Sequence, residues 1–316
     1  MLRISYTQTS YIRSCPRKYK FRYVDHLIPK VKDRFLLRGT VVHESFEKYF
    51  NGISLDDILK QILDIYDKEL NKASVDNYED MLIDKYVVYG MFKHYPFNDL
   101  DFEEVIPEKE FDVKIDGLRG VRLVGRVDGL VKKDGKWWIR ELKTTGSPFY
   151  QVENRSRVSY QASGYIYGVQ KALKIKINGI LFDFIRTSML RKKTTDTAQT
   201  FGERILDDYK NHMNDSRTGM PLRQSRMYKR YYSYRSPHQI AEYETDIVKA
   251  ANQIRKCRKN KDFMRNPDVC YFYGKECPYL KICWLENEPS ENLIKAYYSI
   301  EDDQTIKERE GTNGKK

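Results

Sequence analysis

The sequence lacks three features that would assign a chain to a specialised class. It has no run of 18 or more apolar residues, so no segment is expected to span a membrane. The start, MLRISYTQTS, has no apolar signal core, so we expect no export and a cytoplasmic location. A G-x-x-x-x-G-K-[ST] loop is also missing, which excludes an ATP site of its own.

The composition indicates a globular and basic protein. The chain has 316 residues, of which 40% are hydrophobic and 32% charged, so it can bury a full core and is not a disordered chain. The formal net charge of +12 suits an anionic partner such as nucleic acid, although a generically basic soluble protein is the alternative. Disulfides are rare in the cytosol, so the five cysteines need another explanation.

The hydrophobic period changes along the chain. It predicts helices in the first third, then strands at 103–113, 120–132, 136–144 and 176–186, interrupted by a helix at about 157–172. A long helix is expected from Ser236, with Pro237 in its first turn. We therefore divide the chain into an N-terminal helical region, an α/β core, a C-terminal helix with a Cys-rich segment, and a disordered tail. The predicted boundaries are 1–95, 96–225, 226–302 and 303–316.

The segment GRVDGLVKKDGKWWIRELKTTG is the most informative part of the sequence. Asp134 and Gly135 lie between two strand-like runs, which predicts a two-residue hairpin. In such a hairpin the residue numbers of each pair add to the same total as those of the two turn residues. Asp128 and Glu141 add to this total. We therefore expect these two carboxylates to face each other, with Cβ atoms about 4.5–5.5 Å apart.

Opposed carboxylates destabilise a sheet unless one is protonated or a cation lies between them. A divalent metal meets this need at neutral pH, and oxygen ligands favour Mg²⁺ or Mn²⁺. Lys143 lies two residues beyond Glu141 on the same strand face, where it would offset charge on a phosphate oxygen. These are the groups needed to hydrolyse a phosphodiester. The alternative is a solvated hairpin whose Asp, Glu and Lys only pair with one another.

Three helical residues are further candidates near this hairpin. His43, in RGTVVHESFE, would be an additional ligand if its helix packs beside the hairpin, and imidazole suits Mn²⁺ better than Mg²⁺. Gln161 and Tyr165 are four residues apart on one helix face, where they would hold a DNA strand or the lysine. The alternatives are an ordinary helical histidine and a polar helix face.

Four of the five cysteines form a pattern. Cys270, Cys277 and Cys283 follow a C-x₆-C-x₅-C spacing, which leaves one ligand missing for a four-thiolate site. Cys15, in RSCPRKYKFRYV, would supply it and join the two ends of the chain. A [4Fe–4S] cluster and Zn²⁺ both fit four thiolates, and unconnected buried thiols are the alternative. Cys257 falls on an apolar helix stripe and is assigned to the core.

Two basic segments are candidate tracks for single-stranded DNA. Arg17 and Lys18 belong to a basic run that flanks Cys15. The segment RMYKRYYSYR, which contains Arg230 and Tyr232, alternates cations with tyrosines and so offers phosphate contacts and base stacking. The alternative for this segment is an exposed strand with a charged face.

The combination of RGTVVHESFE, GRVDGLV, ELKTTG and YQASGYIYG resembles the PD-(D/E)XK nuclease superfamily in its RecB-like branch. With SCPRKYKF and the late cysteines, the chain is similar to the iron–sulfur RecB-type exonucleases. This group includes CRISPR-associated RecB-like exonucleases, the AddB nuclease domain and phage relatives. The family's second and third cysteines are often closer together than the six intervening residues here.

The resemblance implies a restriction-endonuclease-like fold, with a mixed central sheet flanked by helices and a Cys-rich C-terminal segment closing a cluster with the N-terminus. It implies a single-strand DNA exonuclease, or a flap- or end-processing nuclease, of recombination, repair or phage DNA metabolism. It also implies a bacterial or phage-infected cytoplasm and a helicase, integrase or recombinase partner. The alternative is a catalytically silent DNA-binding or scaffolding subunit.

The resemblance also assigns roles to the candidate residues. It makes His43, Asp128 and Glu141 the ligands of Mg²⁺ or Mn²⁺, and Lys143 the catalytic lysine. Gln161 and Tyr165 match a Q-x₃-Y motif. The positions implied to hold a [4Fe–4S] cluster, with Zn²⁺ as the alternative metal, are Cys15, Cys270, Cys277 and Cys283.

Overall fold

The computed structural model of the chain describes residues 1–30, 34–216, 218–272, 275–285, 289–302 and 305–306. The predicted disordered tail, 303–316, lies outside these residues except for 305–306. None of the helices in the described ranges is long and apolar enough to cross a membrane.

The first third of the chain is mainly helical, as predicted. Pro16 begins the second helix directly after the first one ends, and Ser5 caps the first one. The elements are β1 (Leu2–Ile4), α1 (Tyr6–Ser14), α2 (Pro16–Tyr23), β2 (Leu27–Pro29), α3 (Arg34–Phe50), α4 (Leu55–Leu70) and α5 (Val75–Lys93).

The middle of the chain supplies most of the sheet. Its elements are β3 (Glu104–Lys114), β4 (Val121–Lys133), β5 (Lys136–Thr145), α6 (Phe149–Arg157), α7 (Tyr160–Leu173), β6 (Ile177–Arg186), α8 (Ala198–Lys210) and β7 (Tyr228–Ser233). The four predicted strands are confirmed within two residues at each end. The predicted helix at 157–172 is α7, and α6 precedes it as a helix that the sequence pattern did not indicate.

The C-terminal part begins with the long predicted helix, whose capping box joins Ser236 and Gln239. Short elements then follow around the late cysteines. They are α9 (Pro237–Asn260), β8 (Tyr271–Phe272), β9 (Lys275–Glu276), α10 (Leu280–Cys283), α11 (Glu291–Tyr297) and β10 (Tyr298–Ile300).

One mixed sheet organises the described residues. Its strands run in the order β1-β4-β5-β6-β7, and β3 pairs with the other edge of β4. The β1–β4 and β5–β6 pairs are parallel, whereas β3–β4, β4–β5 and β6–β7 are antiparallel. The expected mixed central sheet flanked by helices is therefore confirmed.

Two hydrophobic cores hold the helices on this sheet. One joins α1, α2, α7 and α9 to apolar side chains of the strands, including Leu130, Ile139 and Phe182. The other joins α3, α4, α5 and α8 to Leu142, Ile185 and Tyr228. Burial of such side chains contributes about 1.5–3 kcal/mol each to folding stability. The two cores therefore fix the strands that carry the polar groups between them.

Candidate active site

The edge of β4 that faces β5 contains a gap in strand pairing. The described pairs of β1 with this edge end at Leu123, and those of β5 begin at Gly129. Strand β5 extends past Arg140 to Thr145, where its pairs are with β6 on its other edge. Side chains rather than backbone ladders therefore connect the strands at this point, which is where Asp128 lies.

The predicted hairpin is confirmed. Asp134 and Gly135 have φ values of 50° and 69°, as a tight turn of this kind requires. The pairs run from Lys133 with Lys136 to Gly129 with Arg140, in the predicted register. The expected direct pairing of Asp128 with Glu141 is not among the described pairs, because the ladder stops one residue earlier. Asp128 instead reaches β5 through its side chain.

Asp128 links the sheet to helix α3. Its Oδ2 accepts a hydrogen bond from the backbone N–H of Leu142 at 2.8 Å, and its Oδ1 lies 2.9 Å from Nδ1 of His43. His43 is held there because Val42 and Phe46 of the same helix are buried in the second core. Burial alone would raise the pKa of Asp128, but the hydrogen bond and charge of His43 bring it below its usual range.

Glu141 is the most buried acid of this group. Its side chain is 4% exposed, and Oε1 lies 2.6 Å from the ammonium of Lys143. Its Oε2 is buried and has no hydrogen-bond partner among the described atoms. Burial raises the pKa of Glu141 to about 7, although the charge of Lys143 opposes this shift.

Lys143 is oriented by two residues of α7. Its ammonium donates to Oε1 of Gln161 at 3.2 Å, and Nε2 of Gln161 donates to the hydroxyl of Tyr165 at 2.9 Å. Burial would lower the pKa of Lys143, but the charge of Glu141 outweighs it and raises the pKa. The lysine therefore keeps its proton at neutral pH.

The structure thus brings His43, Asp128, Glu141 and Lys143 to one place. Within the described residues, no group of three or more His, Cys, Asp or Glu side chains is arranged to hold a metal ion as they stand. The physical reason is that Asp128 turns to His43 and Glu141 turns to Lys143. The donor set nevertheless fits a hard cation, because Oε2 of Glu141 is a buried carboxylate oxygen that lacks a partner.

The four cysteines of the predicted cluster line a single small cavity with mainly apolar walls. Cys15 enters it from the junction of α1 and α2, and the backbone N–H of Cys277 donates to the carbonyl of Cys270 at 2.7 Å. Trp284 donates from Nε1 to the sulfur of Cys270 at 3.5 Å. None of the five cysteines, all of which lie in the described ranges, forms a disulfide. The four thiols, which all lie in the described part of the chain, are not arranged to hold a metal ion as they stand, so a cluster that closes this cavity stays a prediction.

Cys257 packs against the first core. It is absent from the described lining of the cysteine cavity. Burial raises the pKa of its thiol. Its assignment as a core residue agrees with this position.

The four candidate DNA contacts lie in two other places. Arg17 donates to the carbonyl of Phe263 at 3.0 Å, and Lys18 lines the cysteine cavity. Arg230 donates to the carbonyl of Asp99 at 2.8 Å, and Tyr232 packs edge-on against Trp138. Strand alternation turns these two side chains of β7 away from the sheet face of Glu141. All four assignments stay predictions.

The sequence pattern missed a buried ion pair behind the site. Arg140 donates from Nε and Nη2 to Oδ2 of Asp183 at 3.0 and 2.6 Å, and the hydroxyl of Tyr95 donates to the same oxygen at 2.5 Å. The signal was present, because Arg140 and Asp183 are charged residues inside the apolar runs WWIREL and ILFDFI. Charges in such runs need a buried partner.

The sequence pattern also missed a cleft in front of the site. A cavity of about 700 Å³ opens between α3 and the β3–β4 pair, and His43 and Asp128 line its inner end. Phe35 and Gly39 line it farther along α3.

Comparison with known proteins identifies the family. The family model of the PD-(D/E)XK nuclease superfamily matches residues 3–284. A search of curated proteins finds no match. The matched range covers the sheet, the Asp128–Glu141–Lys143 group and all four cysteines of the cavity. The chain belongs to the PD-(D/E)XK nuclease superfamily.

Proposed function

We propose that this protein is a metal-dependent deoxyribonuclease that hydrolyses phosphodiester bonds. The observation that carries this proposal is the meeting of Asp128, Glu141 and Lys143 at the gap in the β4 edge. Two carboxylates and a protonated lysine are the groups that a phosphodiester hydrolase needs. Membership of a nuclease superfamily makes DNA the expected substrate.

Asp128, Glu141 and His43 would hold one Mg²⁺ or Mn²⁺ ion. The buried Oε2 of Glu141 supports this assignment, because a cation would satisfy an oxygen that otherwise has no partner. When bound, the ion would lower the pKa of a water molecule and offset charge on the leaving oxygen. An imidazole ligand suits Mn²⁺ better than Mg²⁺.

Lys143 would act by its charge and not as a base. The carboxylate of Glu141 raises its pKa, so it carries a proton at neutral pH and can stabilise a phosphate oxygen. Gln161 and Tyr165 are positioning residues for this ammonium, because the amide oxygen of Gln161 accepts its hydrogen bond and Tyr165 fixes the amide. A direct contact with the DNA strand is the other role proposed for this pair.

We further propose that Cys15, Cys270, Cys277 and Cys283 hold a [4Fe–4S] cluster. Their common cavity supports this assignment, and Zn²⁺ is the alternative ion for four thiolates. Protein purified without air should be brown and contain iron and sulfide. Colourless protein with stoichiometric zinc would reject the iron assignment.

Within its superfamily, we propose that the chain is a RecB-like exonuclease acting on single strands, flaps or DNA ends. Arg17, Lys18, Arg230 and Tyr232 are the proposed contacts with DNA outside the cleavage site. A helicase, integrase or recombinase would be its partner in recombination, repair or phage DNA metabolism, in the bacterial or infected cytoplasm. These assignments rest on the resemblance of the sequence motifs.

The test compares Asp128→Ala and Lys143→Ala with the unchanged protein. End-labelled single- and double-stranded DNA should be cleaved in Mg²⁺ or Mn²⁺ by the unchanged protein, and each variant should lose at least a hundredfold in rate. Retention of full cleavage by both variants would reject the assigned site. Protein that binds DNA but leaves it uncut in Mg²⁺, Mn²⁺ and Co²⁺ would instead indicate a silent DNA-binding or scaffolding subunit.

A further inference from the structure

A second cavity lies on the other face of the sheet from Glu141. Glu141 of β5 pairs with Phe182 of β6, and the next residue of β6, Asp183, points to the opposite face because side chains alternate along a strand. The cavity opens between β7, the segment that follows α5 and the segment that follows α8. Its volume of about 340 Å³ is in the range of small-molecule sites. We name it the β7 cavity.

The lining of the β7 cavity contains a buried carboxylate that is only half satisfied. Asp183 lines the cavity, and its side chain is 1% exposed. Arg140 and Tyr95 donate to Oδ2 of Asp183, whereas Oδ1 has no hydrogen-bond partner among the described atoms. A buried acceptor without a partner is costly, so a hydrogen-bond donor on a bound molecule would stabilise this arrangement.

A hydrogen-bond donor lies beside this acceptor. Arg230 of β7 is the register partner of Asp183 on β6, and it also lines the β7 cavity. Its two Nη atoms donate to the carbonyls of Asp99 and Pro96, but its Nε is buried and has no partner within the described residues. An acceptor next to a donor is complementary to the edge of a nucleobase, where an N–H lies beside a ring nitrogen or a carbonyl oxygen.

His212 adds a second donor to the lining. Its Nδ1 lies 2.9 Å from Oγ of Ser225, and this oxygen accepts hydrogen bonds from the backbone N–H groups of Met227 and Tyr228. A hydroxyl has two acceptor lone pairs and one proton, so Ser225 donates its proton to Nδ1 of His212. The neutral imidazole therefore carries its own proton on Nε2 and offers an N–H to an acceptor atom of a ligand.

The aromatic part of the lining is rigid. It consists of Tyr95, His212 and Tyr228. The ring of Tyr228 packs edge-on against those of Tyr95 and His212, with centroids 5.4 and 5.0 Å apart. Rings that hold one another in place suit a planar ligand better than a flexible one, because less conformational freedom is lost on binding.

The lining also favours an anionic group on the ligand. Arg223 is exposed on it and makes no hydrogen bond or ion pair within the described part of the chain. Arg140 offsets the charge of Asp183. The carboxylate of Asp99 then faces the two cations Arg223 and Arg230, so positive charge is in excess. A guanidinium without a partner is a favourable contact for a phosphate.

We propose that the β7 cavity binds a nucleoside monophosphate. Its base meets Oδ1 of Asp183 with a donor and Nε of Arg230 with an acceptor, and its phosphate meets the guanidinium of Arg223. This inference goes beyond the proposed nuclease function, because occupancy of the cavity requires neither the divalent metal nor cleavage.

The experiment is isothermal titration calorimetry of the full chain in buffer without divalent metal. The probes are the deoxynucleoside 5′-monophosphates of the four bases, the corresponding deoxynucleosides, deoxyribose 5-phosphate, inorganic phosphate and free glutamate. At least one monophosphate should bind with a micromolar Kd. Its nucleoside should bind about tenfold more weakly, because it lacks the charged contact. The probes without a base should not bind measurably.

The variants separate the contacts with the phosphate from those with the base. Arg223→Ala should weaken binding of the monophosphate about tenfold and leave that of the nucleoside unchanged. His212→Phe keeps an aromatic ring without the N–H donor, so it should weaken binding of both. The matched control is Arg191→Ala, which removes an exposed arginine outside the described lining that has no described partner either. It should change neither affinity, and Lys143→Ala at the proposed cleavage site should change neither.

The proposal is overturned if no monophosphate binds at millimolar concentration, or if Arg223→Ala and His212→Phe keep the affinities of the unchanged protein. It is also overturned if Lys143→Ala weakens binding as much as Arg223→Ala, because the nucleotide would then occupy the cleavage site. Binding of glutamate in place of the monophosphates would overturn it in favour of an amino-acid site. The nuclease function fails separately, in the cleavage assay with Asp128→Ala, and its failure would leave these affinities as they are.

Discussion

Replacing Arg140 with methionine should destabilise the protein strongly, because it removes the cation that is hydrogen-bonded to the buried carboxylate of Asp183. The side chains of Arg140 and Asp183 are only 2% and 1% exposed. The guanidinium also lies 4.7 and 4.8 Å from the ring centroids of Phe46 and Phe50. Methionine keeps the apolar stem against these rings, so the change removes mainly the charge and its hydrogen bonds.

The expected magnitude follows from this burial. Removing one partner of a buried pair costs about 3–5 kcal/mol. At roughly 2–4 °C per kcal/mol for a domain of a few hundred residues, Arg140→Met should lower Tm by about 6–20 °C. Asp183→Asn should cost a similar amount, although asparagine keeps an acceptor for Tyr95. The double variant should recover most of the loss, because both buried charges are then gone.

The assay is urea unfolding of the unchanged protein, the two single variants and the double variant, analysed as a double-mutant cycle. Lys72→Met is the surface control, since the Lys72 side chain in its pair with Glu69 is 70% exposed and such pairs contribute little. The reasoning is refuted if Arg140→Met costs less than about 1 kcal/mol. It is also refuted if the loss of unfolding free energy in the double variant equals the sum of the two single losses within about 0.5 kcal/mol.

Three further predictions concern the site, the cysteines and DNA binding. Without divalent metal, the unfolding free energy of the unchanged protein should fall relative to that of Glu141→Gln as pH rises toward 7. The reason is that burial raises the pKa of Glu141 to about 7, so the folded state holds a proton that the unfolded state releases; equal pH slopes in urea titrations would contradict this. Cys277→Ser should lower the iron content and Tm, measured by metal analysis and calorimetry. Cys257→Ser should lower the free energy of unfolding by at most about 1 kcal/mol and leave the iron content unchanged. The affinity for single-stranded DNA, measured by anisotropy, should fall steeply with salt, and a flat dependence would argue against phosphate contacts.

The parts of the fold that depend on local pattern could be predicted from the sequence. The β4–β5 hairpin follows from alternating apolar residues around Asp134 and Gly135, and its register follows from the turn. The start of α9 follows from its Ser236 and Gln239 capping box. These signals lie within a few residues of one another, so no distant partner is needed to interpret them.

Helix α8 was missed although it has a local signal. Thr197 and Thr200 form a capping box, and Phe201, Ile205 and Tyr209 are buried at intervals of four residues. The polar residues between them obscured this stripe, because the helix buries only one narrow face.

The remaining features depend on contacts between distant parts of the chain. Strand β1 has only three residues, and its parallel pairing with Val121–Leu123 has no local signature. The gap in the β4 edge exists because β1 and β5 share that edge, so the hairpin alone suggested continuous pairing to Glu141. The cleft likewise depends on how α3 packs beside β3, which periodicity does not specify.

The hydrogen bond from Leu142 to Asp128 gives the protein an internal reporter. A main-chain proton of a central strand is held by the same carboxylate that is proposed to bind a cation. If a metal ion bound Asp128, the hydrogen bond from the Leu142 amide would weaken. Hydrogen exchange of that amide, followed by mass spectrometry or NMR, would then report metal binding without any substrate turnover.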